Sequence, residues 1–354
     1  MNEKIIKGRA ALSNQNSRYD LLQRQDFDDG WFNELPATQV KTEKLPDNSK
    51  SIISYNKSPD VPFDRSINPY RGCEHGCIYC FARPSHAWLG LSPGLDFETQ
   101  LFYKSNAAQL LEKELAKKSY QCNTIALGVN TDTYQPLDRK LELTRSLLQV
   151  MQSYQHPVAL VTKSSLVERD IDLLSMLANK NLVHVYITLT MLDAKLSIKM
   201  EPRAAAPKRR LQTIESLTKH GIPVSVMVAP IIPVLTDPEL ESLLAAAHSA
   251  GAKSASYVML RLPREVKDLF VEWLDGHEPG KKDHILSQIA AMHEGQLYQS
   301  EFGQRMSGKG QFADMISQRF KLVCKRLGLR TTLPELNTQD FQIPKDSNPQ
   351  LSLF

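Results

Sequence analysis

The chain has 354 residues, of which 42% are hydrophobic and 23% charged, so it can bury a core and is neither disordered nor collagen-like. Lysine and arginine total 43 against 39 acidic residues, and the resulting net charge of +4 is too small to require a polyanionic partner. The longest nearly unbroken apolar stretch, residues 224–235, contains Ser225, Pro230 and Pro233 and is shorter than the roughly 20 residues that span a bilayer. The N-terminus lacks the apolar core of a secretory signal. We therefore expect a cytoplasmic protein without a membrane helix.

Residues 1–60 are polar and irregular, and the segments 13–17 and 45–49 have the composition of loops, which predicts an N-terminal extension. From about residue 123 onward, short apolar runs alternate with apolar positions at helical spacing. The predicted strands are residues 125–129, 158–161, 182–189, 224–229 and 255–260. The predicted helices carry apolar faces at Leu141, Leu147, Leu148 and Met151, at Ile171, Leu174 and Leu177, and at Leu211, Ile214 and Leu217.

A further helix is delimited by its sequence, with Asp237 as the predicted cap, Pro238 in the first turn and Gly251 at the end. Alternating strands and helices require parallel strands joined by right-handed crossovers, which predicts an α/β fold with a barrel or doubly wound sheet. We expect the barrel in residues 61–265, a helical or loop-rich appendage in residues 266–336 and a flexible tail in residues 337–354.

Three of the five cysteines are crowded into the segment Cys73-Glu74-His75-Gly76-Cys77-Ile78-Tyr79-Cys80. An odd number of cysteines with this clustering predicts a metal or redox site rather than a disulfide framework. Three thiolates leave one iron of a four-iron, four-sulfur cluster without a protein ligand, and catalysis needs such an open position. The alternative is a zinc site that takes His75 or His86 as its fourth ligand.

The spacing CxxxCxxC resembles the signature of the radical S-adenosylmethionine (SAM) superfamily, in which this loop follows the first strand of a partial (β/α)6 TIM-like barrel. The resemblance covers roughly residues 60–265. Within the superfamily the chain resembles the branch related to spore photoproduct lyase, also described as DNA repair photolyase-like. The segments that carry this resemblance are residues 68–72, 131–136, 162–164, 201–203 and 229–233.

The resemblance implies a 4Fe-4S cluster held by Cys73, Cys77 and Cys80, whose open iron binds SAM. One electron, from a donor such as flavodoxin or ferredoxin, would cleave SAM to methionine and a 5′-deoxyadenosyl radical that abstracts hydrogen from the substrate. In this interpretation the protein positions the radical and excludes solvent.

Polar residues at the carboxyl ends of the predicted strands are candidates for binding SAM, because functional groups of barrels converge there. These candidates are Asn130, Thr131, Asp132, Lys163, Thr188, Thr190 and Arg203. Lys163 and Arg203 would bind the methionine carboxylate, and the threonines would bind the carboxylate or the ribose. The alternatives are that the threonines are ordinary strand residues, that Lys163 is solvated and that Arg203 pairs with Glu201.

The chain departs from spore photoproduct lyases at one position. Those enzymes carry a cysteine hydrogen-atom donor near the end of the second strand, and the corresponding residues 128–131 include no cysteine. Cys122 precedes that strand and should lie near the opposite end of the barrel, and Cys324 lies on an apolar helical face typical of a core thiol. We therefore do not expect strict spore photoproduct repair.

The C-terminal residues Gln350, Leu351, Ser352, Leu353 and Phe354 resemble the linear motif by which bacterial repair proteins bind the DNA polymerase sliding clamp. A tail can deliver two apolar anchors to a pocket while a glutamine provides directional hydrogen bonds. The alternative is that these residues fold back onto the protein's own surface. The basic runs 208–210 and 281–282 are weak additional indications of DNA binding.

The sequence thus predicts a radical SAM enzyme that acts on DNA lesions or another nucleic acid and is recruited by the sliding clamp. A second hypothesis keeps the radical chemistry with tRNA, protein or a small metabolite as the substrate. A third is a zinc-stabilised, clamp-binding adaptor without catalysis.

Overall fold

The computed structural model describes residues 6–19 and 40–344. The strands are β1 (Glu43–Pro46), β2 (Ile53–Tyr55), β3 (Arg65–Ile67), β4 (Tyr70–Arg71), β5 (Gln100–Tyr103), β6 (Ile125–Leu127), β7 (Val158–Thr162), β8 (Val183–Thr188), β9 (Val224–Ile231) and β10 (Ser254–Met259). The α-helices are α1 (Leu95–Thr99), α2 (Ala107–Leu115), α3 (Asp138–Leu141), α4 (Leu143–Ser153), α5 (Ile171–Ala178), α6 (Ala194–Met200), α7 (Pro207–Lys219), α8 (Leu240–Ser249), α9 (Glu265–His277), α10 (Lys282–Met292) and α11 (Gly310–Leu327). Short 3-10 turns occupy Arg83–Leu89, Ser165–Asp170, Asp237–Glu239 and Pro279–Lys281. Among the described residues, no helix combines the length and the apolar character needed to cross a membrane.

A seven-stranded sheet lies at the centre of the fold, in the order β10-β9-β8-β7-β6-β3-β2. Each neighbouring pair from β3 through β10 is parallel, and β2 at the edge is antiparallel to β3. A smaller sheet has the order β1-β5-β4. The predicted α/β fold is confirmed: six parallel strands alternate with helices, consistent with a partial TIM-like barrel. The carboxyl ends of these strands lie at the same end of the barrel.

The strands predicted from apolar runs correspond to β6 to β10, within a few residues at each boundary. Leu160, Val185 and Val226 in the middle of their strands are 0% exposed. The helices α7 and α8 contact the sheet, so these strands are covered and read as continuous apolar runs. Burial of one such side chain stabilises the fold by about 1.5–3 kcal/mol.

The N-terminal region is more ordered than the sequence predicts. β1 pairs in parallel with β5, and β2 pairs with β3, so the prediction of an irregular extension is wrong for these residues. Leu45 and Pro46 belong to β1 rather than to a loop. All four side chains of β1 are exposed, because the strand lies at the edge of its sheet and gains its stability from backbone hydrogen bonds. Hydrophobic patterning cannot detect such a strand.

The segment 337–344 is docked on the barrel, which contradicts the predicted flexible tail for these residues. The backbone nitrogen of Asn337 donates to the carbonyl of Asn181 at 2.9 Å. The ring of Phe341 packs 5.5 Å from that of Tyr120 and 5.6 Å from that of His156, measured between centroids. A single aromatic anchor therefore orders a polar segment. The clamp-like motif at residues 350–354 lies outside the described residues.

The start of α8 differs from the prediction in one detail. Asp237 does not cap the helix but lies inside the preceding 3-10 turn, where its carboxylate accepts a hydrogen bond from the backbone of Val234 at 2.5 Å. Pro238 lies in the same 3-10 turn, one turn earlier than the predicted first turn of the helix, because α8 begins at Leu240. Gly251 follows the helix with a φ of +107°, the left-handed region that glycine adopts without strain.

The residues after the barrel are mostly helical and pack against it. The indole nitrogen of Trp273 on α9 donates to the carbonyl of Lys199 at 3.1 Å. The guanidinium of Arg319 on α11 lies 2.6 Å from the carboxylate of Glu241 on α8. These contacts attach α9 and α11 to the barrel helices, so the predicted appendage is part of the same packed body.

Candidate functional site

The three-cysteine loop follows β4 and leads into the 3-10 turn Arg83–Leu89. Cys73 and Cys77 are each 7% exposed, Cys80 is partly buried and none of the three forms a disulfide. Burial raises the pKa of all three thiols, and the neighbouring thiols add to this effect at Cys73. Three unlinked, mostly buried thiols therefore share one small region beyond the carboxyl end of β3.

Two glycines allow the loop to take its path. Gly76 has a φ of +65°, and a Cβ at this position would lie 2.7 Å from Oε2 of Glu98. Gly72 has a φ of +77°, and a Cβ there would lie 2.8 Å from Cδ2 of Leu101. Any other residue would meet both an unfavourable backbone conformation and a steric clash.

A buried ion pair that the sequence analysis missed supports the loop from below. Nη2 of Arg83 lies 2.5 Å from Oε1 of Glu98, and both side chains are 0% exposed. The same guanidinium donates to the carbonyls of Gly76 and Cys77, each at 2.9 Å. The carboxylate of Glu98 also accepts the backbone hydrogen of Ala11 at 3.0 Å. The ion pair thus joins the cysteine loop to the N-terminal segment.

Gln135 holds the loop from the side. Its amide oxygen accepts from the backbone of Glu74 at 2.8 Å, and its amide nitrogen donates to the carbonyl of Gly72 at 3.3 Å. The backbone of Ile78 donates to the carbonyl of Met200 at the end of α6, at 3.0 Å. These contacts place the cysteine backbone without using any thiol.

The two histidines near the cysteines are both buried. Nε2 of His86 lies 2.9 Å from the carbonyl of Gln100, and burial lowers its pKa to about 4, so the ring is neutral at ordinary pH. Nδ1 of His75 lies 3.3 Å from Oδ2 of Asp132. His86 therefore contributes to the packing around the loop, whereas His75 connects the loop to the end of β6.

Asn130, Thr131 and Asp132 follow β6 as predicted, and their contacts are local. The side-chain oxygen of Asn68 accepts the backbone hydrogens of Asn130 and Thr131, at 2.9 and 3.4 Å. The hydroxyl of Thr131 donates to the carbonyl of Tyr70 at 2.8 Å. Asn68 and the hydroxyl of Thr131 thus hold the strand end against the segment that leads into the cysteine loop.

Asp132 is a buried carboxylate that links β6, β7 and the cysteine loop. It accepts hydrogen bonds from the hydroxyl of Thr162 at 2.8 Å and from the backbone of Lys163 at 2.7 Å. Burial alone would raise its pKa, but His75 and these hydrogen bonds outweigh burial and lower it. The carboxylate therefore stays ionised beside the loop.

Lys163 and Thr190 converge on Glu201, beside the aromatic residue of the cysteine motif. Nζ of Lys163 lies 3.8 Å from Oε1 of Glu201 and 5.7 Å from the centre of the Tyr79 ring. The hydroxyl of Thr190 donates to Glu201 at 3.0 Å, and Tyr79 and Arg210 donate to the same carboxylate. Burial lowers the pKa of Lys163 to about 8. The side chain of Lys163 is 14% exposed, so it is largely withdrawn from solvent, with its ammonium group in a polar network.

Two other predicted residues are arranged differently. The side chain of Thr188 is buried, and its backbone carbonyl accepts from Arg210 at 3.1 Å. Nη2 of Arg203 lies 3.1 Å from the carboxylate of Glu74, so the alternative of an ion pair with Glu201 is wrong. Glu201 pairs instead with Arg210.

The basic runs do not form an open cationic surface. Arg210 is 1% exposed and Arg209 lies 2.8 Å from Glu168. In the second run, Lys281 lies 3.3 Å from Glu278, and Lys282 lies 2.7 Å from Asp275. Most of these charges serve intramolecular ion pairs, which removes them as an indication of DNA binding.

The two cysteines outside the loop lie where the sequence predicts. Cys324 is 2% exposed on α11, and Cys122 precedes β6, away from the carboxyl ends of the strands. Burial raises the pKa of each thiol to about 11. Neither cysteine belongs to the cysteine loop.

Comparison with known families defines the class. The sequence model of the Radical SAM superfamily matches residues 67–247, which include the cysteine loop and the ends of β6 to β9. The match covers more than half of the chain, so this protein belongs to the radical SAM superfamily, as its motif predicts.

Relatives in other organisms share the same region. An uncharacterized protein of Mycobacterium tuberculosis (strain ATCC 25618 / H37Rv) is 36% identical over 229 residues, which are 63% of this chain and 67% of that protein. An uncharacterized protein of Methanocaldococcus jannaschii is 27% identical over 199 residues, 56% of this chain and 71% of that protein.

Solved structures of spore photoproduct lyase have a similar fold. A single mutant of that enzyme has a TM-score of 0.57 at 13% identity, covering 81% of this chain and 80% of that one. A double mutant with bound AdoMet and dinucleoside spore photoproduct has a TM-score of 0.55 at 11% identity, with the same coverage. At these identities the similarity establishes the fold.

The family uses a 4Fe-4S cluster and SAM, and the cysteine loop fits the cluster. Within residues 6–19 and 40–344, no group of three or more His, Cys, Asp or Glu side chains is arranged to hold a single metal ion. A four-iron cluster instead takes one thiolate at each of several irons, so its ligands need not converge on one point. Cys73, Cys77 and Cys80 would hold such a cluster, and membership of this family favours a cluster over the zinc alternative.

Proposed function

We propose that this protein is a radical SAM enzyme whose substrate is a nucleic acid, with DNA lesions as the first class to test. The observation that carries the proposal is the position of three mostly buried, unlinked thiols beside the Lys163–Glu201 network, at the carboxyl ends of a parallel barrel. The similarity in fold to spore photoproduct lyase, which has been solved with a dinucleoside photoproduct, supports the substrate class.

Bound at this site, the cluster and SAM supply a reductive cleavage that produces a 5′-deoxyadenosyl radical. The chain's own residues bind and orient. The ammonium of Lys163 would bind the carboxylate of SAM, while Glu201, which accepts a hydrogen bond from Thr190, holds Lys163 in place. Thr131 and Asp132 hold the end of β6 against the segment before the cysteine loop and against β7, and Arg203 braces Glu74 of that loop. Asn130 and Thr188 lie at the ends of β6 and β8 beside them.

Isotope transfer tests the substrate directly. Anaerobic holoenzyme would be incubated with a reductant, SAM and ultraviolet-irradiated DNA that carries deuterium throughout. We expect deuterium to appear in the 5′-deoxyadenosine that forms in the reaction with irradiated DNA, since the radical takes its hydrogen atom from the substrate. Unirradiated deuterated DNA and a Cys73→Ala variant serve as controls. The proposal fails if 5′-deoxyadenosine forms without deuterium from either DNA.

Recruitment to DNA by the sliding clamp is the second part of the proposal. The support is the sequence Gln350-Leu351-Ser352-Leu353-Phe354, in which two apolar anchors follow a glutamine. We expect full-length protein to bind a purified bacterial clamp and a variant lacking residues 350–354 to lose that binding. Equal binding by both proteins, or binding by neither, would remove clamp recruitment and leave the radical chemistry unaffected.

A further inference from the structure

A large apolar side chain lies exposed directly beside the cysteine loop. Phe81 follows Cys80 in sequence and is 44% exposed, although an aromatic side chain of this size normally gains free energy by burial. The guanidinium carbon of Arg261 lies 5.2 Å from the centre of its ring, a cation–π contact. An exposed ring with a guanidinium over it presents a flat, polarisable surface to solvent.

The two residues come from opposite ends of the run of parallel strands. Phe81 belongs to the segment after β3 and β4, and Arg261 lies two residues beyond the end of β10. β3 and β10 are the first and last parallel strands of the sheet order. The contact between Phe81 and Arg261 therefore spans the open side of the partial barrel, at the end where the cysteine loop lies.

Arg261 is held in place but retains unused hydrogen-bonding capacity. Its Nη1 lies 3.6 Å from the sulfur of Met306, and the backbone of Met306 accepts from Met259 of β10 at 2.9 Å. Nε of Arg261 is buried and has no hydrogen-bond partner among the described residues.

A second aromatic–guanidinium pair, Phe302 and Arg305, lies on the segment that contains Met306. The ring of Phe302 is 58% exposed, and the guanidinium carbon of Arg305 lies 4.6 Å from its centre. Arg305 is paired with Asp60, so its charge is balanced locally, and Arg261 supplies the positive charge at the Phe81 ring.

We propose that Phe81 and Arg261 form a stacking platform for an unpaired base of the nucleic-acid substrate. Bases of single-stranded nucleic acids stack on exposed aromatic rings and on guanidinium planes, and nearby positive charge attracts the phosphates. The platform lies beside the last cysteine of the loop, so a base bound there is next to the site of radical formation. This inference rests on the proposed function, because it assigns residues to the recognition of that substrate.

Oligonucleotide binding tests the platform without turnover. The probes are a fluorescein-labelled 12-nucleotide oligothymidylate and an abasic oligonucleotide of the same length, measured by fluorescence anisotropy with anaerobic full-length holoenzyme. We expect Phe81→Ala to weaken binding of oligothymidylate at least about fivefold and to leave binding of the abasic strand unchanged. Phe81→Trp should preserve binding. Arg261→Lys keeps the charge but loses the planar group, so it should weaken binding.

Tyr55→Ala is the matched control. Tyr55 is 63% exposed and has the guanidinium carbon of Arg65 5.4 Å from its ring, but it lies on β2 opposite the start of β3, at the other end of the barrel. Its loss should leave oligothymidylate binding unchanged. Iron content and cluster absorbance of each variant verify that the neighbouring loop remains loaded.

The outcomes separate the platform from the proposed function. If wild-type protein binds oligothymidylate and Phe81→Ala binds it equally well, the platform is wrong and the nucleic-acid proposal stands. A similar loss in Phe81→Ala and Tyr55→Ala also contradicts a specific platform. If wild-type protein binds neither probe but binds an unstructured aromatic peptide through Phe81, the substrate class is wrong and a peptide replaces it.

Discussion

At the residue scale, the cysteine loop is held by groups that are themselves buried and charged. Arg83 and Glu98 are both fully buried, and together they bind loop carbonyls and the N-terminal backbone. Removing one partner leaves the other charge buried without compensation, which typically costs about 3–5 kcal/mol. The geometry of the loop therefore depends on this ion pair.

The Arg83–Glu98 pair makes a stability prediction. We expect Glu98→Gln to lower the free energy of unfolding by about 3 kcal/mol and to reduce the iron bound per chain. Anaerobic thermal denaturation and iron analysis measure both effects. Glu215→Gln breaks the exposed ion pair of Glu215 with Lys219 on α7 and should change neither quantity. Unchanged stability in Glu98→Gln would show that the pair does not support the loop.

Lys163 makes a prediction about cofactor affinity. We expect Lys163→Met to weaken SAM binding about tenfold or more, because a charge-assisted contact to the carboxylate is lost. Lys163→Arg should retain part of the affinity, since it keeps the charge. Equilibrium dialysis with labelled SAM and anaerobic holoenzyme measures this. Wild-type affinity in Lys163→Met would exclude the role proposed for this lysine.

The sequence predicted part of this site for a definite physical reason. The cysteine spacing and the ends of apolar strands are local signals, so the cysteines, Lys163 and Thr190 could be named in advance. Arg83, Glu98, Gln135 and Arg210 could not, because charged and amide side chains normally lie at the surface and only the folded chain shows their burial. The basic run 208–210 suggests DNA binding in the sequence for the same reason, because the burial of Arg210 shows only in the folded chain.

At the element scale, the parts that the sequence predicted are the mostly buried strands of the central sheet. β6 to β10 are mainly apolar, whereas β1 is an exposed edge strand and residues 337–344 are ordered largely by one aromatic side chain. Patterns of hydrophobicity record burial, and they miss segments whose order comes from backbone pairing or a single anchor.

The docked C-terminal segment can be tested through its anchor. We expect Phe341→Ala to lower the free energy of unfolding by about 1–2 kcal/mol, since part of a large ring leaves its aromatic neighbours, and to speed proteolysis after residue 336. The control is Ile343→Ala, because Ile343 is 48% exposed two residues away. Chemical denaturation and limited proteolysis provide the measurements. Equal effects of both substitutions would contradict an anchor at Phe341.

His156 beneath this segment predicts an acid-sensitive contribution to stability. Burial lowers its pKa to about 4 from an ordinary value of 6.5, and Nε2 lies 2.7 Å from the hydroxyl of Tyr120. The unfolded chain binds the proton first, so the stabilisation is present above pH 6.5 and is lost as the pH falls toward 4. Unfolding measured across this range should be less pH-dependent in His156→Gln than in the wild type. The same slope in both proteins would show that His156 titrates normally.

At the scale of the whole molecule, the barrel gathers its chemistry at one end. The cysteine loop, the Lys163–Glu201 network and the Phe81–Arg261 contact all follow the carboxyl ends of parallel strands. The segment 337–344 contacts the region before β7 through Phe341 and His156, near the amino ends of the strands.

The central claim is that Cys73, Cys77 and Cys80 hold a cluster that cleaves SAM. The most direct measurement is the yield of 5′-deoxyadenosine and methionine from anaerobically reconstituted, reduced protein, together with its iron and sulfide content. We predict about four iron and four sulfide per chain in the wild type and in the Cys122→Ala and Cys324→Ala variants, with cleavage of SAM in all three. Alanine in place of Cys73, Cys77 or Cys80, one at a time, should abolish cleavage of SAM. Wild-type protein without iron and sulfide, or a triple loop variant that still cleaves SAM, would contradict the account.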